Sequence, residues 1–575
     1  ALRVTIHAAT LHPDQPHRLE LLWNGIHLGT FDRWGRGRHT LEVPLAGFFT
    51  DAENELTVRQ QQAGPLPPVL YVDSVEIDYL RLAEVDDESF GFYGAEDGLA
   101  SLSGLGSEAR YLYDVTDPQA PVFRGVVEAD PSGGFAFDTT SPDRRFLLVA
   151  PSGIGAAVDI RAHVAPTLRS TDNAADYLII YASHLHDAAE RIADYRRTDG
   201  YRVMAVDVDE VFWAFAGGAP DPHALQELLA HAWSSWALAP RFVLLVGKGT
   251  HDYRNILGLG GNFVPPLLAP TEDGLLPADT RLGDVHGEDG IPEMVVGRLP
   301  LTETGQIEPI LERIRDFEQG QSTDPWSSSL FVSDDGDGGA FSAAAELLSM
   351  TAERGAQHRV DLGTETLDGA RERLIALWSA PTSLVTYVGH GGRDRLADEG
   401  LLTWDQRAPL SELPSRPIFV GWACNLARFD IPGFFPLGER LLMDGASVGV
   451  FTATGWSNHA ATDRMRIRFH EALADAQTLG AAMLEAHQAS NDAPRAIHDV
   501  HALLGDPALR LRPPEAEPSP ENGRDPDRPP DLVLDDATGA GGSGCGVAQG
   551  DARPSPAPCA AVLLALALLG RRRVH

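Results

Sequence analysis

Cysteine is scarce in this sequence, with three residues, Cys424, Cys545 and Cys559, among 575. Only Cys424 lies in the first 544 residues, so the folded part of the chain has no pair of thiols for an internal disulfide. Lysine and arginine are also few, 46 against 82 aspartate and glutamate residues, and the formal net charge is −36. This balance argues against nucleic-acid binding, which needs cations against phosphates, and is typical of a solvated acidic surface.

Long apolar runs are missing as well. The run from Cys559 to Leu569 has 11 residues, fewer than the roughly 17–25 that a membrane-spanning helix needs. Residues 513–544 before it are rich in Pro, Asp, Glu and Gly, which predicts a disordered stalk because so little apolar surface can be buried. The order of these segments, with the basic stretch Arg571–Arg573 after the apolar run, predicts a membrane or sorting tail over 545–575. An amphipathic or frayed tail is the alternative.

The remaining 512 residues are too many for one core and predict a multidomain protein. Short alternating strands separated by turn residues over 1–82 predict a β-sandwich-like domain, and 83–168 a second small β-region. From 169 to 512, continuous apolar strands alternate with amphipathic helices. That pattern predicts an α/β domain with a mostly parallel sheet.

Two apolar strands in the α/β domain each end in a reactive side chain. One is Leu384–Val388, followed by Gly389 and His390, and the other is Ile418–Ala423, followed by Cys424. Chemistry collects at the carboxyl edge of a parallel sheet, where an imidazole and a thiol make a base and a nucleophile. A core cysteine and a satisfied polar histidine are the structural alternatives. The N–H groups of Gly391 and Cys424 are candidates for an oxyanion hole.

These two blocks, Thr386–Gly392 and Trp422–Asp430, resemble the gingipain family of cysteine peptidases, which belongs to the caspase-like group. Three further blocks in the family order support the resemblance: Leu244–Asn255, Pro292–Pro300 and Leu504–Leu509. The resemblance covers roughly residues 176 to 512. It implies a caspase-like catalytic domain of two side-by-side α/β subdomains and hydrolysis of peptide bonds through a thioester acyl-enzyme.

The resemblance also implies roles for individual residues. Cys424 would be the nucleophile and His390 the general base and acid. Glu293 looks like the family's acidic residue near the histidine, which would orient the ring and favour its charged form; a surface carboxylate is the alternative. Lys248 departs from the family pattern, which has an acidic residue there.

For the substrate pocket, the resemblance points to the loop after the strand that follows Cys424. Trp456 in this loop would help to wall the pocket, unless it is a half-buried packing residue. Asp279 and Glu303 are candidates for an acidic pocket floor. Neither is sufficient to predict that the peptidase prefers basic residues before the scissile bond.

Asp334, Asp335 and Asp337 cluster just beyond another apolar strand. Calcium prefers such oxygen ligands, and related enzymes bind calcium, so a structural calcium ion is one interpretation and a solvated acidic turn the other. Catalysis by a thiol and an imidazole requires no cofactor.

The sequence therefore predicts an exported bacterial cysteine endopeptidase, extracellular or at the cell surface, that acts on protein or peptide substrates. Its tail resembles the sorting tails of surface proteins of myxobacteria and their relatives, with Cys545 as the processing or lipid-attachment point and membrane or sorting machinery as the partner. A surface adhesin or binding protein with a degenerate peptidase scaffold, and a processing peptidase for other secreted proteins, are the alternatives.

Overall fold

A computed structural model describes most of the chain as far as residue 512. The described residues are 1–10, 15–45, 53–61, 69–79, 83–85, 88–95, 99–106, 108–139, 141–155, 167–271, 274–287, 289–320, 328–351, 355–405, 410, 412 and 416–512. The predicted stalk at 513–544 and the predicted tail at 545–575, with Cys545, lie outside them. No helix among the described residues is long and apolar enough to span a membrane.

The N-terminal strands form two three-stranded antiparallel sheets, in the orders β4-β1-β6 and β3-β2-β5. Burial alternates along β2, as expected for a strand with one face against a core. Side chains from both sheets share that core, and Asn24 and Gly25, both at positive φ, make the tight turn between β2 and β3. The six strands are β1 Leu2–Ala8, β2 His17–Trp23, β3 Ile26–Arg33, β4 Gly37–Val43, β5 Leu56–Gln61 and β6 Leu70–Ile77.

The next strands build a second β-region around a core of their own. Four of them pair in the order β10-β9-β12-β7, and β11 pairs with β8. Phe90, Leu112, Phe146 and Leu148 are among the buried residues of this separate core. The strands are β7 Ser89–Tyr93, β8 Leu99–Leu102, β9 Arg110–Asp114, β10 Val122–Val127, β11 Phe135–Asp138 and β12 Arg145–Val149.

The α/β region begins at the point where strand burial becomes continuous. Its central strands are buried on both faces because helices cover the sheet on each side. The strands are β13 Tyr177–Tyr181, β14 Val203–Asp207, β15 Phe242–Val246, β16 Leu268–Thr271, β17 Gly274–Pro277, β18 Val295–Leu299, β19 Ser328–Ser333, β20 Ala356–Asp361, β21 Leu384–Val388, β22 Arg395–Leu396, β23 Leu402–Thr403, β24 Ile418–Trp422, β25 Gly449–Ala453 and β26 His501–Leu504.

Several helices of this region begin at side chains that accept a backbone N–H and so cap the first turn. Asp207, Asp221, Thr366, Asn458 and Thr478 are such N-caps. The helices are α1 His186–Thr198, α2 Val208–Ala216, α3 Pro222–Ser235, α4 Ile307–Gly320, α5 Ala340–Thr351, α6 Leu367–Ser379, α7 Leu437–Met443, α8 His459–Leu473, α9 Leu479–Gln488 and α10 Arg495–Val500.

One ten-stranded sheet runs through the α/β region, in the order β14-β13-β15-β18-β26-β25-β24-β21-β19-β20. Neighbouring strands are parallel except at one place, because β26 is parallel to β18 and antiparallel to β25. The predicted side-by-side halves are therefore joined edge to edge and run in opposite directions. The carboxyl ends of β15 and β18 consequently lie at the edge where β21 and β24 begin.

A buried ion-pair network fastens the last described segment to the first half of the sheet. Arg196 on α1 is fully buried and pairs with Asp506, Glu318 and Asp199, each at 2.8–2.9 Å. The hydroxyl of Tyr177 donates to the second oxygen of Asp506 (2.8 Å). Removing one partner of such a network leaves uncompensated charge in the interior.

Two adjacent arginines on α1 test this network. We expect Arg196→Met to lower the free energy of unfolding by about 3–5 kcal/mol, because Asp506 loses its buried cation while Asp199 and Glu318 keep only Arg510. Arg197→Met removes only exposed pairs with Glu190 and Asp194, and we expect it to cost at most about 1 kcal/mol. Urea unfolding followed by circular dichroism measures both, and equal midpoints for the two variants would contradict the analysis.

Candidate active site

Cys424 and His390 leave neighbouring strands at the same level of the sheet. β21 and β24 are parallel, with Val388 opposite Trp422 in the register. Each reactive residue follows its strand by two positions, so both emerge at one edge of the sheet, on strands about 4.8 Å apart. The structure therefore places these two residues at the same edge of the sheet, on neighbouring strands.

The backbone of His390 is held on both sides by buried groups. Its N–H donates to Asp334 Oδ2 (2.9 Å), and its carbonyl oxygen accepts from the Tyr387 hydroxyl (2.7 Å) and from the Ala397 N–H (3.0 Å). Asp334 and Tyr387 are almost completely buried, whereas His390 itself is exposed. The imidazole packs edge to face on Phe341, with ring centroids 5.0 Å apart. These contacts restrict both the position and the tilt of the ring.

Asp334 follows β19, the strand next to β21, and accepts a second N–H from Asp335 (2.8 Å). Burial raises the pKa of Asp334 above its usual range, while the two N–H donors favour the ionised form. Oxygens of Asp334, Asp335 and Glu399 lie within 4.8 Å of one another, the one acidic cluster of this kind found among the described residues. Asp337 is outside this group and begins a 3-10 turn, Asp337–Gly339. The third carboxylate of the cluster is that of Glu399.

The thiol of Cys424 lies against the loop that follows β25. Cys424 is half-buried, and the Ser457 N–H donates to its sulfur at 3.4 Å. Sγ is also 3.7 Å from the Ser457 carbonyl oxygen. Trp456, the preceding residue, is 65% exposed and so stands at the mouth of the site. The loop predicted to wall a substrate pocket thus adjoins the thiol.

Gly391 is the residue at which the histidine loop touches the cysteine loop. A β-carbon at this position would lie 2.6 Å from the Cys424 carbonyl oxygen and 2.9 Å from the Ala423 β-carbon. Both distances are well inside van der Waals contact, so only glycine lets the two backbones approach this closely.

Glu293 does not lie beside His390. It precedes β18, which is separated from β21 by four strand spacings, roughly 19 Å at about 4.8 Å each. Its carboxylate accepts the N–H groups of Val285 and His286 at 3.0 Å each. These bonds give Glu293 a structural part in its own loop, and its predicted place next to the histidine is wrong.

The two candidates for an acidic pocket floor make bonds of their own. Asp279 is buried and makes a bidentate ion pair with Arg298, at 2.6 and 2.9 Å, so its charge is already compensated. Glu303 follows β18 and begins the 3-10 turn Thr304–Gln306, where its N–H donates to Gln306 Oε1. Because the first half of the sheet runs in the opposite direction, Glu303 lies at the far edge from Cys424.

Sequence reasoning missed four residues that contact the site: Phe341, Glu399, Ser457 and His501. Phe341 belongs to the apolar pattern of α5 and looks like any core residue. Ser457 lies beside Trp456 in the loop after β25, but its contact with the thiol has no sequence signal of its own, and His501 precedes the Leu504–Leu509 block without belonging to it. Glu399 could have been noticed as a carboxylate shortly after His390 in the sequence.

Comparisons with known proteins agree with this geometry. The model for peptidase family C25 matches residues 170–512. The Arg-specific cysteine proteinase gingipain R (RGPB) is 16% identical with a TM-score of 0.50, over 58% of this chain and 78% of that chain. The Porphyromonas gingivalis RgpB pro- and mature-domain complex is 16% identical with a TM-score of 0.48, over 58% and 79%. Comparison with curated proteins gave no match.

The sheet and the edge with its cysteine and histidine define a caspase-like α/β domain of a cysteine peptidase. The family match covers more than half of the chain, so the chain belongs to peptidase family C25, the gingipain family, and is a cysteine-type endopeptidase. The resemblance predicted from the sequence blocks is confirmed.

Two adjacent glycines test the contact between the two loops. We expect Gly391→Ala to reduce kcat/KM for peptide hydrolysis by about 100-fold or more, because displacement of reacting groups by about 1 Å is that costly. A β-carbon at Gly392 meets only the flexible Arg395 side chain and the Asp394 carboxylate, at 3.1 and 3.4 Å. Gly392→Ala should therefore stay within a few-fold of wild type, and equal losses in the two variants would contradict the assigned contact.

Proposed function

We propose that this endopeptidase hydrolyses peptide bonds with Cys424 as nucleophile and His390 as general base and acid. The thiol proton passes to His390 as Sγ attacks the scissile carbonyl carbon. The C–N bond then breaks, the leaving amine takes the proton from His390, and a thioester remains. Water attacks the thioester, gives its proton to His390, and releases the acid while the thiol is restored. The proposal rests on the parallel pairing of β21 and β24, in which Val388 lies opposite Trp422.

We infer that the N–H groups of Gly391 and Cys424 bind the oxyanion of the tetrahedral intermediate. The close approach of the Gly391 backbone to Cys424 supports this, since a β-carbon on Gly391 would lie 3.3 Å from the Cys424 nitrogen. One donor of this kind is typically worth about 2.7–4 kcal/mol in the transition state.

The imidazolium that forms in this reaction needs a carboxylate that Glu293 is too far away to provide. Asp334, Asp335 and Glu399 surround the start of the histidine loop. We propose that this cluster supplies the negative potential on the far side of His390 from the thiol. Trp456 is proposed to form one wall of the substrate pocket, because its neighbour Ser457 contacts the sulfur.

We propose further that the peptidase is exported from a bacterial cell and acts outside it or on its surface, on protein or peptide substrates. The stalk at 513–544 and the tail at 545–575, with Cys545 as processing or attachment point, support this through their sequence alone.

A structural calcium ion is proposed at the acidic cluster. Three carboxylates fit part of the six to eight oxygen ligands that calcium takes. Catalysis itself is proposed to need no cofactor.

Thermal unfolding tests the calcium site. We expect the unfolding midpoint of the full chain to be higher in calcium than in EGTA. The increase should be roughly 2–4 °C for each 1 kcal/mol that calcium binding adds to the free energy of unfolding. Glu399→Gln should lose the shift, whereas Asp394→Asn, which changes an exposed acid paired with Arg395, should keep it. An identical midpoint in calcium and EGTA would remove the ion from the proposal.

The nucleophile is tested by cysteine replacement. We expect Cys424→Ala and His390→Ala to reduce peptide hydrolysis by at least about 10³-fold, and Cys424→Ala to abolish labelling by a thiol-directed peptide probe. Cys545→Ala and Cys559→Ala change the other two thiols and should leave hydrolysis unchanged. Full hydrolysis by Cys424→Ala would end the proposed mechanism. Hydrolysis absent from wild type would favour a binding protein on a degenerate scaffold.

A further inference from the structure

A chain of hydrogen bonds leads from the Cys424 thiol through Ser457 to the buried imidazole of His501. We propose that His501 is a positioning residue that, by holding Ser457, directs a backbone N–H at the sulfur and stabilises the thiolate. The inference rests on the proposed function, since it assumes that Cys424 is the nucleophile. It adds a neutral, buried histidine to the groups that prepare the thiol.

The first link of the chain is the N–H of Ser457, 3.4 Å from Cys424 Sγ. A donor in this position interacts more strongly with the negative sulfur than with the neutral thiol. The bond therefore favours the reactive form and opposes the longer contact with the Ser457 carbonyl oxygen, 3.7 Å from Sγ, which accepts from the neutral thiol. The strength of the N–H bond depends on how firmly Ser457 is held. Ser457 is half-buried in the loop between β25 and α8, between the exposed residues Trp456 and Asn458.

The second link anchors Ser457. His501 Nδ1 lies 2.7 Å from the carbonyl oxygen of Ile497, which can only accept, so Nδ1 carries the hydrogen. In the neutral ring Nε2 is then an acceptor, and it lies 3.3 Å from Ser457 Oγ. The serine hydroxyl donates to His501, and the direction of every bond in the chain is determined. Burial lowers the pKa of His501 to about 4, which keeps the ring neutral near neutral pH.

His501 itself is held rigidly by its surroundings. The residue is completely buried at the start of β26, and its ring packs on Trp422 at 5.5 Å and on Phe451 at 6.0 Å. Trp422 ends β24, two residues before Cys424. One imidazole thus contacts both the strand that delivers the thiol and the loop that donates to it.

Other titratable groups face this region and must be held constant in any test. They are His390 beside Cys424, His459 at the start of α8, His470 against Trp422, His487 on α9 and His498 on α10. Burial lowers the pKa of His459, of His470 and of His498. All five remain in place in the Ser457 and His501 variants that test the proposal.

The experiment is the pH dependence of Cys424 alkylation by iodoacetamide in the full chain, quantified on the Cys424 peptide by mass spectrometry so that Cys545 and Cys559 do not contribute. Ser457→Ala removes the hydroxyl, and His501→Phe keeps a ring of similar size while removing the acceptor. We expect each variant to react roughly three- to tenfold more slowly than wild type at pH 6 and equally fast near pH 10, since only thiolate formation is affected.

Two further variants separate positioning from general damage. The double variant should be no slower than either single variant, because both changes break one bond. His501→Gln places an amide oxygen near the Nε2 position and should recover part of the rate at pH 6. His470→Phe alters the same aromatic cluster without contacting Ser457, and its profile should match wild type.

The inference would be overturned if the alkylation profiles of Ser457→Ala and His501→Phe overlaid that of wild type. It would also be overturned if both variants lost rate by the same factor at every pH, because such a loss reports a change in access to the thiol alone. The result is independent of the proposed mechanism. If Cys424→Ala kept peptidase activity, the proposed function would be refuted. The alkylation profile would still report the contact between Ser457 and the thiol.

Discussion

The parallel pairing of β21 with β24 is the constraint on which the site depends. All five residues of each strand are buried, so a shift of register by one residue would turn every side chain to the opposite face of the sheet. The same shift would displace His390 from Cys424 by about 3.3 Å along the strands. Apolar burial on both faces therefore does more than stabilise the sheet. It sets the distance between the imidazole and the thiol.

The antiparallel pairing of β26 with β25 decides which polar strand ends share an edge with that pair. It reverses the first half of the sheet, so that residues after β15 and β18 point to the far edge. Lys248 illustrates the consequence, because it follows β15 and forms a buried ion pair with Glu439 on α7 at 2.8 Å. A polar residue after an apolar strand is evidence for the site only when the strand runs with β21 and β24.

The sequence was sufficient for the features that local pattern determines. Continuous apolar runs marked the strands, and the glycine-flanked ends of two of them identified His390 and Cys424. The direction of β26 was not predictable, because a four-residue buried strand has the same periodicity in either direction. The misplacement of Glu303 follows from that missing direction, and that of Glu293 from the missing strand order, which puts β18 four strands from β21. Phe341, Ser457 and His501 were missed because their roles arise from packing between segments far apart in the sequence. Asp334 was noticed as an oxygen ligand, whereas its bond to the His390 backbone depends on the adjacency of β19 and β21.

Strand order also arranges the charges of the site. β19, β21 and β24 are consecutive in the sheet, and their carboxyl ends carry the acidic cluster, the imidazole and the thiol in that order. A carboxylate next to the sulfur would oppose thiolate formation, since like charges disfavour ionisation. Placing Asp334 and Asp335 one strand beyond the histidine puts the width of that strand between them and the thiol. The partners of the sulfur include the neutral backbone groups of Ser457. In a chain with a net charge of −36, this spatial separation of acids from the thiol is what a thiolate nucleophile requires, and three adjacent parallel strands are enough to provide it.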